Sequence, residues 1–158
     1  MPTFHTETIV AAPIERVWAR FQEVGHFLPA LTPPKQALQI VSAAPLPPQV
    51  GTRIEMTVRG PLGRVAWTAE YVEFVPPHAT ITGTEARFVD VQVAGPFKRW
   101  RHTHEFEAVD GRTTRCVDHI DYAVPLGPLG WVGDFVLVRP SLRKMFAYRA
   151  AKMRETSG

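Results

Sequence analysis

A single cysteine, Cys116, stands in a chain of 158 residues, so no internal disulfide can form and the fold must rest on a packed core. Cys116 lies in a strand-like run, where an unpaired cysteine reads as a small buried hydrophobe rather than a nucleophile. Long hydrophobic runs are missing too. Gly127–Val138 falls short of the roughly 18 apolar residues that span a bilayer, and Asp134 interrupts it. Met1 to Val10 alternates polar and apolar residues without the order of a signal peptide, so a reducing cytoplasm is the expected compartment. Charge of one sign is also scarce: 18 basic residues meet 15 acidic ones, leaving a net charge of +3. No block of five or six like charges occurs, and nucleic-acid binding is not expected. The densest basic stretches, Lys98–Arg101 and Arg139–Arg154, read as solvated faces of a strand and a helix. Ser42, Ser141 and Ser157 are the only serines, and none sits in a G-x-S-x-G elbow. There is no phosphate-binding glycine loop, no C-x-x-C and no H-E-x-x-H, so covalent hydrolysis, nucleotide binding and a resident cofactor are not expected.

What is present fits one ordinary globular domain over residues 1–158. The chain is 45% hydrophobic and 21% charged, which excludes disorder as the main reading. Its 15 prolines are about twice the usual share and disfavour long unbroken helices. Phe4–Val10 alternates as a strand. Pro13 then opens an amphipathic helix with Ile14, Val17, Trp18 and Phe21 at helical spacing, and His26–Leu31 adds a second short one. After a proline-punctuated connection with a short strand at Leu38–Val41, the chain reads as antiparallel strands. These cover Gly51–Arg59, Arg64–Phe74, Ala79–Glu85, Phe88–Ala94, Phe97–Val109 and Thr113–Val124. Turns are expected at Gly60–Gly63, at Pro76-Pro77-His78 and at Asp110-Gly111. Leu129–Arg154 closes the chain as a long helix kinked at Pro140, with Val132, Phe135, Val136, Leu142, Met145, Phe146 and Met153 on one face. A curved sheet closed by that helix leaves room for a cavity between them.

The informative stretch is Asp90–Asp121. On a strand, Trp100, His102, His104 and Phe106 share one face, and Arg99, Arg101, Thr103, Glu105 and Glu107 share the charged, solvent-facing one. Two histidines in an apolar wall need hydrogen-bond partners. A two-residue turn at Asp110-Gly111 sets Val117 opposite His104 and His119 opposite His102. A one-residue bulge instead sets Cys116 by Phe106, Asp118 by His104, Ile120 by His102 and Tyr122 by Trp100. The bulged register is favoured, because it sends the apolar residues inward and Arg115 outward.

Three readings of His102 and His104 stay open: a satisfied polar pair within the sheet, the polar end of a ligand cavity, or a metal site. For the last, the strand motif supplies two ligands and Asp118 is the only obvious third, so no metal is assigned. By alternation, Val89, Val91 and Val93 should face inward and leave Asp90 and Gln92 exposed. Trp67, Tyr71 and Glu73 share a face in the same way. His5, His26 and His78 have no partner visible in the sequence.

The string Ala11-Ala12-Pro13-Ile14-Glu15-Arg16-Val17-Trp18 resembles the first helix of the START/birch-pollen-allergen superfamily, SRPBCC. The strings Phe88-x-Asp90-x-Gln92-x-x-Gly95-Pro96-Phe97-x-x-Trp100-x-His102-x-His104-x-Phe106 and Thr114-x-x-x-Asp118-x-x-x-Tyr122-x-x-Pro125-x-Gly127 resemble its bacterial polyketide cyclase/dehydrase-like branch. Phe146-x-x-Arg149 fits the same branch. The resemblance implies an α+β helix-grip fold: about seven antiparallel strands curved around a long C-terminal helix, two short helices after the first strand, and a hydrophobic cavity. It also implies that Asp90 and Gln92 matter to the site, against the alternation argument.

The leading expectation is a binding or transport protein for a hydrophobic or aromatic small molecule such as a lipid, quinone or polyketide. Trp67, Tyr71, Trp100, Phe106, Tyr122, Phe135, Leu142, Met145 and Phe146 would form its wall. His102, His104 and Asp118 would fix a polar group, with Asp90 and Gln92 as further candidates. The alternative is a cyclase or dehydratase in which a histidine oriented by Asp118 acts as general acid or base, with Tyr122 or the second histidine holding an enolate oxygen. A protein-interaction module, through apolar residues around Gly127–Trp131, is the third class, and a homodimer or protein partner is left open.

Overall fold

The computed structural model describes residues 2–60 and 63–156. Strand β1 (Thr3–Val10) leads into helices α1 (Ile14–Gln22) and α2 (Val24–Ala30), then a 3-10 turn at Pro34–Gln36. Six strands follow: β2 (Gln39–Ala44), β3 (Arg53–Gly60), β4 (Gly63–Ala79), β5 (Thr84–Ala94), β6 (Arg99–Asp110) and β7 (Thr113–Ala123). The C-terminal helix runs as α3 (Gly127–Gly133), a π-helical turn (Asp134–Val138) and α4 (Arg139–Glu155). All seven strands form one antiparallel sheet in the order β1-β7-β6-β5-β4-β3-β2. This is the helix-grip arrangement that the resemblance implies. Gly60 pairs with Gly63 across the β3–β4 connection, and Pro61-Leu62, where the turn is expected, lie outside the described residues.

Pro13 caps α1, and Ile14, Val17 and Trp18 recur at helical spacing and are buried. Trp18 meets Phe74, Phe88 and Phe106 of the sheet at ring distances of 4.9, 5.9 and 5.8 Å. This cluster fills one end of the sheet's concave face, with Cys116 buried in it. Burial pushes the Cys116 thiol up to about 12, in keeping with a packing role. A second cluster of Trp100, Ile120, Tyr122, Leu142 and Phe146 joins α4 to the other end.

The structure corrects several expectations. Pro76 and Pro77 do not turn the chain: β4 runs to Ala79, and its register with β5 shifts between Val75 and His78. That irregularity carries the two residues that cannot donate to the ladder. Ala79–Glu85 is therefore not a separate strand, and β5 is continuous from Thr84.

A second register shift, between Tyr71 and Glu73, keeps Tyr71 inward and turns Glu73 outward, 2.7 Å from Arg101 and 3.3 Å from Arg87. Those charged side chains cover the convex face. Beneath them Val89 is completely buried and Thr103 nearly so. Valine burial therefore did not mark the concave side.

The C-terminal helix also departs from its expected stripe. Leu142, Phe146 and Met153 are buried, but Val132, Phe135 and Val136 are exposed. Pro140 lacks the N–H that an α-turn would bond to Val136, and the chain widens just before it, where the Arg139 amide donates to the Asp134 carbonyl. The wider turn rotates the phase of the preceding residues, so Phe135 faces solvent at 75% exposure instead of the cavity. No helix among the described residues is long and apolar enough to cross a membrane.

Candidate functional site

A cavity of about 580 Å³ separates the concave sheet face from α2 and the C-terminal helix. Trp67, Tyr71, Phe88 and Trp100 line it from the sheet, Phe27 and Leu28 from α2 with Leu31 just after it, and Leu142 and Met145 from α4. Leu126, Leu129 and Leu137 line it and are also largely exposed, so the cavity reaches the surface along that edge. Trp131, Val132 and Phe135 extend the apolar surface beside this opening.

The polar residues of β5, β6 and β7 gather in one place. The β6–β7 register is the bulged one, with Phe106 opposite Cys116, His104 opposite Asp118, His102 opposite Ile120 and Trp100 opposite Tyr122. The register shifts between Ala108 and Asp110. On the other side of β6, Asp90 pairs with His102 and Phe88 with His104, which turns Asp90 toward the concave face. The expected exposure of Asp90 and the inward orientation of the valines are overturned.

Asp118 Oδ1 lies 2.9 Å from His102 Nε2 and 2.9 Å from His104 Nδ1. Only the contact to His102 is aligned as a hydrogen bond, and His104 Nδ1 is buried without one. His104 Nε2 instead meets Asp90 Oδ2 at 3.1 Å. The two imidazoles are 3.7 Å apart, and His104 stacks on Phe88 at 4.0 Å.

Both rings are buried, and their environments push them apart. Burial and the neighbouring charge at His104 lower His102 to about 4. Burial also opposes charge on His104, but contacts with Asp118 and Asp90 outweigh it and hold that ring above the ordinary histidine value. Burial alone would raise Asp118, yet its contacts with the two rings keep it below the usual carboxylate range. Near neutral pH the cluster holds a neutral His102 and an ionised Asp118, and His104 is the ring that its carboxylate contacts bias toward the charged form. The ligating atoms of Asp90, His102 and His104 lie within 4.8 Å of one another, so Asp90, not Asp118, completes the set that has metal-ligand spacing.

The remaining candidates divide by position. Trp67, Tyr71, Asp90, Trp100, His102, His104, Leu142 and Met145 are brought together around the cavity. Asp118 stands behind the histidines. Phe106 packs on Trp18 and Phe21 in the first core cluster, and Phe146 lies between Phe4 and His102. Tyr122 is fully buried and donates to Asp134 at 2.5 Å, which directs its hydroxyl to α3 and the π turn rather than to an enolate in the cavity. Gln92 holds the loop after β5: its amide donates to the Phe97 carbonyl at 2.7 Å and its oxygen accepts from the Phe97 N–H at 3.2 Å. Phe97, held this way, contacts Trp67 and Trp100 at 5.6 and 4.9 Å in the cavity wall. Phe135 is outside the site.

Arg149 was missed. Its basic stretch reads as a solvated face, yet Arg149 is 6% exposed and lines the cavity. The available signals were its place in the Phe146-x-x-Arg149 string and its spacing, seven residues after Leu142 and three after Phe146 on the buried stripe.

The sequence model of the family described as polyketide cyclase / dehydrase and lipid transport matches residues 1–158. No curated protein matches the sequence significantly. Among solved structures, the chain is similar to a START superfamily protein from Mycobacterium smegmatis, with a TM-score of 0.68 at 11% identity, over 98% of this chain and 96% of that one. It is similar to the Zhui aromatase/cyclase from Streptomyces sp. R1128, with a TM-score of 0.65 at 13% identity, over 99% and 93% of the two chains. It is also similar to a point mutant of norcoclaurine synthase from Thalictrum flavum, with a TM-score of 0.62 at 14% identity, over 99% and 96%. At these identities the likeness is one of fold.

Proposed function

Because the chain belongs to the polyketide cyclase / dehydrase and lipid transport family, we propose that it binds a hydrophobic or aromatic small molecule between its sheet and its C-terminal helix. The observation that carries this reading is the cavity itself: about 580 Å³, walled by aromatic and aliphatic side chains, with Asp90, His102, His104 and Arg149 among the few ionisable groups that line it. Ligand sites commonly combine an apolar wall with a few convergent polar groups. A wall of this kind favours a lipid, quinone or polyketide-like ring system over a charged metabolite.

A second reading, a cyclase or dehydratase, is supported by the Asp118–His102 contact at the cavity face. Asp118 would orient His102 as a neutral base, although a ring lowered to about 4 is a weak one at pH 7.

The test is to purify the protein natively, denature it, and identify by mass spectrometry what it releases. A panel of lipids, quinones and aromatic polyketides is then screened by thermal shift. A stoichiometric hydrophobic molecule, or a clear shift with one panel class, is expected. An empty protein that no panel member stabilises would overturn the binding reading. Turnover of a bound panel member, lost in His102→Ala while binding persists, would move the assignment to the enzyme.

A further inference from the structure

Arg149 is the buried ionisable group whose chemistry is unspent. It lies on α4 with its guanidinium carbon 4.8 Å from the centre of the Phe146 ring, and it faces the cavity. Its Nε is buried without a partner, and no residue among those described accepts a hydrogen bond from it. Asp118 and Asp90 are near enough to act on its charge, but neither reaches ion-pair distance. Tyr71 is the third group within its electrostatic reach; its hydroxyl also makes no hydrogen bond among the described residues, and its side chain lines the same cavity. Buried polar groups are normally paired, and a guanidinium has only donors to offer. Two unspent donor groups at one cavity therefore call for an acceptor.

We infer that Arg149, with Tyr71 beside it, anchors the ligand by donating hydrogen bonds to a neutral carbonyl oxygen, that of a ketone or quinone, carried on an apolar or aromatic body. This rests on the cavity reading proposed above and specifies the ligand's polar end. The choice of a neutral oxygen follows from charge. The carboxylates of Asp90 and Asp118 already act on the Arg149 guanidinium; of the other charged lining residues, Asp134 is paired with Arg139 and Arg59 is exposed. A ligand carboxylate held at Arg149 would add a further negative charge beside those buried carboxylates, which costs more than one contact returns. A carbonyl accepts from both donors and adds none.

Three probes of nearly equal size separate the possibilities: 2-acetylnaphthalene, 2-naphthoate and 2-ethylnaphthalene, titrated calorimetrically into the full-length protein at pH 7. The ketone is expected to bind about tenfold or more tightly than the hydrocarbon, the difference that one charge-assisted hydrogen bond provides. It should also bind more tightly than the carboxylate. The C=O stretch of the bound ketone should shift to lower frequency. In Arg149→Met the ketone-to-hydrocarbon ratio should fall to within about twofold of unity, and the infrared shift should disappear. Equal binding of ketone and hydrocarbon to the wild type would overturn the role of Arg149 while leaving the cavity reading intact. Tightest binding of 2-naphthoate would overturn the neutral class. Failure of all three to bind would count against the cavity reading and take the inference with it. Should Arg149→Met not fold, the wild-type ratios and the infrared shift still decide.

Discussion

His102 Nε2 lies 2.9 Å from Asp118 Oδ1, and both side chains are about nine-tenths buried. A carboxylate in that position is tolerable only because the rings of His102 and His104 face it; removing it leaves two imidazoles without their anchor. Asp118→Ala is therefore expected to destabilise the fold by about 3–5 kcal/mol, the usual cost of breaking a buried pair. Asp118→Asn keeps the shape and one acceptor and should cost less. Urea unfolding of the two variants measures both, and a loss below 1 kcal/mol in Asp118→Ala would show that the contact is not a support of the sheet.

The two histidines should titrate on opposite sides of the ordinary value of about 6.5. Long-range nitrogen-15 NMR should find His102 neutral down to about 4 and His104 protonated above the ordinary range. The stability consequences have opposite signs. Between about 6.5 and 4 the unfolded chain takes up a proton at residue 102 that the folded chain refuses, so stability falls with pH in that window by up to about 3 kcal/mol. His104 contributes stability that is fully present below about 6.5 and is lost as pH rises through its raised folded value. Two rings titrating together near 6.5 would remove the basis for assigning one neutral and one charged role.

Gln92 clasps both backbone groups of Phe97 and so sets the position of an aromatic residue in the cavity wall. Gln92→Ala removes both bonds and should cost about 1–3 kcal/mol. The more specific readout is local: the Phe97 amide should exchange with solvent faster, while amides in β6 and β7 keep their protection. Unchanged exchange at Phe97 would mean that the loop is held by packing alone.

The β6–β7 pairing was legible because alternation gave one face to Trp100, His102, His104 and Phe106, and only a bulge turned Cys116, Ile120 and Tyr122 inward beside them and Arg115 outward. The direction of Asp90 was not legible from alternation. Val89 is buried on the convex face under Arg87, Arg101 and their glutamate partners, so valine burial did not distinguish the two sides of the sheet. The motif resemblance pointed to Asp90 and Gln92, but the distinction between a cavity carboxylate and a loop clasp required coordinates for Phe97. Arg149 was hidden by its type, since arginine in a basic helix ordinarily faces water.

Phe135 shows how one turn of helix changes an assignment. A uniform α-helix puts it seven residues before Leu142 on the same stripe, and both would line the cavity. With the π turn at Asp134–Val138, Leu142 is 6% exposed and Phe135 75%. The two geometries make different predictions for the same pair of variants. Phe135→Ser should change stability by no more than about 0.5 kcal/mol, because the ring has little packing to lose. Leu142→Ala should cost about 2–5 kcal/mol, because it opens a void beside Trp100, Tyr122 and Phe146. Urea unfolding of both settles the phase. A large loss in Phe135→Ser would restore the uniform helix and put Phe135 back in the cavity wall.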